Sequence, residues 1–281
     1  GTIAGGIAVA EAKSPEIVVA VILALAVVSW TFARAIPAAG PAAPSLVITR
    51  NPWTSTVALL REIRGDQRLW GGAHIVSWFW VVGSVVLSLL PAMVKEHIGG
   101  TEGVVTLGLT TFVIGIAIGS GLAARASHGT PNLALVPLGA VLMGVFALIL
   151  GGLAAMMSAG PVPVGPAAVL SSGTGVAVIA ALCGLAIAGG LFIVPAFAAV
   201  QAWSPPDRRA RVIAAVNVMN AAYMVVGGAI VAGLQAAGIG VGAIFAVLGV
   251  LSIAAVAYVV RAWGSGLVRD LGRLIFSFSS Q

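Results

Sequence analysis

The chain reads as an all-α membrane protein, and three observations predict that class. Apolar residues make up 60% of its 281 residues and charged residues only 8%, against about a quarter charged in ordinary soluble domains. The apolar residues fall into long runs, each close to the roughly 20 residues that cross a hydrocarbon core. Basic residues gather at every second junction between the runs. A soluble core of this length could not consume so much apolar surface. A transmembrane barrel needs strands that alternate polar and apolar. These runs are apolar all round and rich in Ala, Leu and Gly, so their backbone groups must be satisfied within helices.

The runs cover 16–36, 71–94, 102–124, 132–157, 173–203, 212–235 and 240–260. Residues 1–10 form a further apolar stretch, too short to span. With that partial helix the prediction is about eight transmembrane helices. No initiator Met and no signal peptide precede residue 1, which predicts that part of the natural protein lies before it.

Charge orients the helices. Of the 14 basic residues, all but Lys13 and Lys95 lie at alternate junctions or beyond the last run. Arg34, Arg50, Arg61, Arg64 and Arg68 occupy the long first connection. Arg125, then Arg208, Arg209 and Arg211, then Arg261, Arg269 and Arg273 follow. The positive-inside rule makes the arginine side, and hence the C-terminus, cytoplasmic. The formal charge of +6 then reads as topology and attraction to lipid headgroups, not as a nucleic-acid interface.

The connections differ in character. Residues 37–51 are Pro/Ala-rich and predict an extended linker. Asn51-Pro52 reads as an N-cap followed by Pro at the first helical position. Trp53, Val57, Leu60 and Ile63 then recur at helical spacing beside Arg61, Arg64 and Arg68. That pattern predicts an amphipathic helix on the inner membrane surface, the alternative being a solvated linker helix. Residues 158–172 carry Pro161, Pro163 and Pro166 and predict an irregular loop. The tail 262–281 is again amphipathic and is read as a surface helix or the start of a fused domain.

A long basic connection followed by six closely spaced runs matches a transporter built from two six-helix halves. On that reading 1–36 holds the last two helices of a truncated first half. Residues 37–70 bridge the halves, and 71–261 form a complete C-terminal half.

Chemistry-bearing residues are few. No metal-ligand spacing and no phosphate loop occurs, and no cofactor or catalytic set is predicted. His74, His97 and His128 fall at or near run ends. Cys183 lies within a run and reads as a packed core thiol. No carboxylate falls at mid-span, where a proton-coupled carrier would use one. Asn217 and Asn220 share a helix face, which Tyr223 continues. Lining of a cavity and interhelical hydrogen bonding are both open for them. Ser77 and Trp80 are their counterparts in the run 71–94. Gln201, with Arg208, Arg209 and Arg211, is a candidate cytoplasmic gate or headgroup contact. Lys95 and Glu96 are placed at an external mouth, paired with each other or facing a headgroup. Gly115 and Gly119, Gly184, Gly189 and Gly190, and Gly227 and Gly228 predict close helix approach. Pro195 predicts a kink.

Three stretches carry a family resemblance. They are VSWFWVVGSVVLSLLP at 76–91, KEHIGGTEGVVTLGLTTFVIGIAIGSGL at 95–122 and GGLFIVPAFAAVQAWSPPDRRARVIAAVNVMNAAYMVVGG at 189–228. They resemble the lysophospholipid transporter branch of the major facilitator superfamily, in its form fused to an acyltransferase and acyl-acyl-carrier-protein synthetase. The superfamily loop motif is degenerate: GLAARASHG at 121–129 carries Arg125 where an acidic residue often stands. The resemblance implies a major-facilitator-type bundle in the bacterial inner membrane. It also implies movement of lysophospholipid, such as lysophosphatidylethanolamine, from outer to inner leaflet by alternating access, for reacylation. Its implied partners are the phospholipid bilayer, the lysophospholipid and a fused or associated acyltransferase with acyl carrier protein. The acyltransferase's own His-x4-Asp motif is absent, so this segment is not expected to be an enzyme. A drug-exporting carrier of the same fold and a non-transporting anchor for a fused enzyme are the alternatives.

Overall fold

The computed structural model describes residues 15–37, 51–127 and 130–278. The short run 1–10, Lys13, most of the Pro/Ala-rich linker with Arg50, and His128 lie outside these residues. The side chains of Arg269 and of residues 271–278 lie outside them too. The chain divides into two units, Gly1–Leu46 and Val47–Gln281.

In the first unit, α1 (Pro15–Arg34) is an apolar helix with Glu16 in its first turn and Arg34 in its last. The Arg34 guanidinium stands 4.8 Å from the Trp30 ring centroid.

The second unit begins with α2 (Pro52–Arg64). Asn51 caps it, its side-chain oxygen accepting from Trp53 N at 3.0 Å and Thr54 N at 3.3 Å. The expected cap is therefore present, with Pro52 where its missing N–H costs nothing. Helix α3 (Gln67–Ala92) follows at once, and a π-helical turn, Met93–Ile98, extends it. Then come α4 (Glu102–Ser127), α5 (Leu135–Met156), the short α6 (Pro166–Ser171), α7 (Gly173–Trp203), α8 (Arg209–Ala236) and α9 (Val241–Phe278). Helix α9 breaks its helical geometry at Trp263, with φ −129° and ψ 15°. Helix α7 runs unbroken through Pro195.

Among the described residues, six helices are long and apolar enough to cross a membrane. They are Gln67–Ile98, Glu102–Ser127, Leu135–Met156, Gly173–Trp203, Arg209–Ala236 and Val241–Val268. The chain is a multi-pass, all-helical membrane protein. Its outward faces carry the side chains that lipid tolerates, such as Val113, Ile114 and Ile118 on α4 and Leu138, Val145 and Ile149 on α5. The packed interior includes Val76, Leu89, Met143, Leu182, Phe192 and Phe245.

Helix pairing follows the glycines. Helix α4 packs along α7, and α5 packs along both α7 and α9. At Gly119 a side chain would run into the Ile187 backbone, and at Gly190 into the backbone of Ile116 and Gly119. Gly144 and Gly249 face each other's carbonyls across α5 and α9 in the same way. Apolar lipid gives helices no hydrophobic reason to associate, so close backbone approach supplies the attraction instead.

The two ends of the bundle are each tied. At the arginine-bearing end Trp203 meets Trp263 with ring centroids 5.2 Å apart. There Asp270, buried, accepts from Leu133 N at 3.1 Å. At the other end Thr101 N donates to the Val164 carbonyl at 3.0 Å, and Val164 N to Gly99 O at 2.8 Å. The stretch expected to be an irregular loop thus contains a backbone clasp and the helix α6. Its prolines permit this because Pro166 stands at a helix start, where its ring fits.

Candidate functional site

Helix α3 sits between α8 and α9, while α8 and α9 hardly touch each other. The gap between them is a cavity of about 550 Å³, within the range typical of small-molecule sites. Helix α3 contributes Trp70, His74, Ile75 and Trp78, and α7 contributes Phe192. Tyr223 comes from α8, and Leu251, Ala255, Tyr258 and Val259 come from α9.

Sequence order gives this cavity a direction. Trp70 and His74 lie in the first two turns of α3, at the arginine-bearing end. At 1.5 Å per residue, Trp78 is roughly 12 Å further in than Trp70. Helix α9 runs the opposite way, so Tyr258 is near the same end as Trp70 and Leu251 is deeper. The polar groups therefore collect towards one end, and Trp78, Phe192, Leu251 and Ala255 wall the other.

His74 is the centre of the polar end. Its Nδ1 lies 2.5 Å from the Tyr223 hydroxyl. The ring stands edge-on to Trp70 with centroids 4.7 Å apart, and 5.7 Å and 6.0 Å from Tyr223 and Tyr258. Tyr223 reaches back towards the start of α8, as helix side chains do, and so meets a residue near the start of α3. Outside this cluster the Arg64 guanidinium lies 5.9 Å from the Trp70 centroid. Trp78 Nε1 is buried without a hydrogen-bond partner among the described residues.

Of the residues that the sequence put forward as cavity lining, Tyr223 lines this cavity and the others fall elsewhere, while His74, placed by the sequence only near a run end, lines it as well. Ser77 and Asn220 are buried between α3 and α8. With the Asn220 amide oriented to satisfy its surroundings, its nitrogen donates to Ser77 Oγ at 2.9 Å and to Val216 O at 3.2 Å. Its oxygen then accepts from Trp80 Nε1 at 3.1 Å. These groups satisfy one another across the helix contact, so hydrogen bonding accounts for them. Asn217, one turn away, is exposed, and Trp80 is 43% exposed.

The arginines also divide. Arg211 Nε and Nη2 both reach Glu62 Oε2, at 2.9 Å and 2.8 Å. Arg208 Nη1 is 3.7 Å from Glu62 Oε1 and its Nε 3.5 Å from Asp207. Arg209 and Gln201 lie at the same end, Arg209 exposed and Gln201 half-buried. Glu62 thus ties α2 to the first turn of α8, while Ile63 is buried beside it. The helix expected on the membrane surface is docked on the bundle along one face and leaves Trp53 exposed on another.

Lys95 pairs with Glu102 at 3.0 Å. The expected partner, Glu96, is adjacent in sequence, and in a helical turn adjacent residues point in different directions. An apolar run beginning at residue 71 puts His74 near its end. Asp66 caps α3 earlier, accepting from Arg68 N at 2.8 Å and Leu69 N at 3.3 Å, and this moves His74 inside the helix. Asp66 in N-cap position before Gln67, Arg68 and Leu69 was the signal available for it, masked by the helix-weakening Gly71-Gly72 that follows. His97, at the opposite end, lies 3.4 Å from the Met157 carbonyl.

Among the described residues no group of three or more His, Cys, Asp or Glu side chains could hold a metal ion. Compared with known proteins, the chain matches no protein-family model, no curated protein and no solved structure.

Proposed function

We propose that this protein is a transporter that moves lysophospholipid across the bilayer, with the cavity between α3, α8 and α9 as its substrate site. The observation that carries the reading is the cavity's polarity gradient. A lysolipid has one polar head and one chain. The cavity offers His74, Tyr223 and Tyr258 at one end and an apolar wall of Trp78, Phe192, Leu251 and Ala255 at the other. Its polar end faces the arginine-bearing side, where the positive-inside rule places the cytoplasm. A lipid seated there has its chain directed towards the bilayer centre, as in the inner leaflet. The lateral separation of α8 and α9 gives a chain a route to the bilayer.

The major-facilitator resemblance adds the second half of the machine, and with it alternating access of a bacterial inner-membrane carrier. Delivery to an acyltransferase on the cytoplasmic side completes the proposal. The test is uptake of labelled lysolipid by proteoliposomes containing the full chain. Ala255→Trp should fill the cavity and reduce uptake about tenfold or more while the protein still reaches the membrane. Full uptake by that variant excludes this cavity as the site. Failure of the unaltered protein to move lysolipid, with efficient movement of small cationic drugs, favours the drug-exporter reading instead.

A further inference from the structure

A lysophospholipid brings a phosphate into a cavity whose lining, among the described residues, includes no Asp, Glu, Lys or Arg. That charge needs a partner. Resting on the transporter reading, we propose that His74 is the phosphate-binding residue and that it binds as the imidazolium, so that one proton is taken from solution with each lipid head.

Among the described lining side chains, His74 alone can become a cation. Its ring has a nitrogen for each of two tasks. Nδ1 is engaged with the Tyr223 hydroxyl, 2.5 Å away. Nε2 has no hydrogen-bond partner among the described residues and is not buried. In the imidazolium both nitrogens donate. Nδ1–H then donates to the Tyr223 oxygen, and Nε2–H is free for a phosphate oxygen. The Tyr223 hydroxyl, once it accepts, keeps its own proton for donation. The titratable and charged groups facing the ring are Tyr223 from α8, Tyr258 from α9 and, beyond Trp70, Arg64 from α2. Helix α7 presents Phe192. None of these is an anion near neutral pH, since tyrosine titrates near about 10. An imidazolium alone in this cavity would be a desolvated charge without a partner, and so would a phosphate. Bound together, each favours the charged form of the other. By linkage, the proton strengthens phosphate binding by the same factor as the phosphate strengthens proton binding.

The test is binding to the purified full chain in an uncharged maltoside, read by tryptophan fluorescence at about pH 5.5 and about pH 8, which bracket the ordinary imidazole range. The probe is lysophosphatidylglycerol, whose phosphodiester is its one charge and stays ionised at both values. Monoacylglycerol with the same chain lacks the phosphate, and glycerophosphoglycerol lacks the chain. Lysophosphatidylglycerol should bind about tenfold more tightly at the lower pH, and monoacylglycerol equally at both. His74→Gln should bind lysophosphatidylglycerol alike at both values, at the weaker level. Equal binding of lysophosphatidylglycerol at the two values by the unaltered protein overturns the His74 assignment without any variant having to fold, and leaves the lysolipid reading standing. The same pH effect with monoacylglycerol, or its survival in His74→Gln, overturns the assignment too. Absence of lysophosphatidylglycerol binding at either value overturns the lysolipid reading itself. Glycerophosphoglycerol binding as tightly as the lipid, with the same pH dependence, keeps the His74 site and overturns the lipid source.

Discussion

Ser77 Oγ and the Asn220 side-chain amide lie 2.9 Å apart inside the contact between α3 and α8, with both side chains buried. The pair joins two helices that both border the cavity. Asn220→Ala should lower stability in detergent by roughly 0.6–1.7 kcal/mol, the range for hydrogen bonds between membrane helices. Ser77→Ala should cost less, because Asn220 keeps its Val216 and Trp80 partners. Transport per folded molecule should stay near that of the unaltered protein. A chemical-unfolding midpoint and an uptake assay normalised to folded protein check the two halves of this expectation.

Glycine packing gives a sharper contrast. Gly119→Ala places a methyl group against the Ile187 backbone, which cannot move aside as a side chain can. An overpacked core of this kind costs about 1–3 kcal/mol, and the variant should accumulate poorly in the membrane. Gly152→Ala meets nothing within 4 Å and should fall within roughly 0.5 kcal/mol of the unaltered protein. Thermal unfolding followed by size-exclusion chromatography distinguishes them.

The ion pair between Glu62 and Arg211 is only partly exposed, at 23% and 29% for the two side chains. A double-mutant cycle with Glu62→Gln and Arg211→Gln should show a coupling of roughly 0.5–1 kcal/mol. Raising salt should shrink it. Additive single variants would mean the contact contributes nothing. Arg208→Gln should matter less, since its approach to Glu62 is longer.

Much of this architecture was legible before any coordinates, for physical reasons that can be named. The apolar runs of α3, α4, α5, α7, α8 and α9 were long because lipid demands it. Asn51-Pro52 announced α2 because capping is a local matter between neighbouring residues. The glycines on α4 announced contact, but not which helix they would meet. That is why the Gly119–Ile187 approach could not be foreseen. The cavity was less legible for the same reason. Its rings come from four helices, and His74 meets Tyr223 across 149 positions of sequence. Asn217 and Asn220 drew attention because polar residues stand out within an apolar run. One of them is consumed by packing, while the site itself is built largely of aromatics, which blend into such a run.

The orphaned Trp78 Nε1 carries its own expectation. Trp78→Phe keeps a ring on the cavity wall and removes a buried donor without a partner among the described residues. An unsatisfied donor of that kind costs about 1–3 kcal/mol. The substitution should therefore be neutral or stabilising by up to about 1 kcal/mol after the lost ring area is offset. A melting curve of the ligand-free protein settles the sign. A large destabilisation would mean that the indole N–H has found a partner.

Glu62 grips the first turn of α8 rather than the core of the bundle, so α2 and α8 are coupled like a lever and its handle. A tilt of α8 that widens or narrows the gap to α9 would pull on α2 through the Glu62–Arg211 pair. Trp53, 77% exposed on that handle, then becomes a pointer whose fluorescence registers a movement taking place inside the membrane.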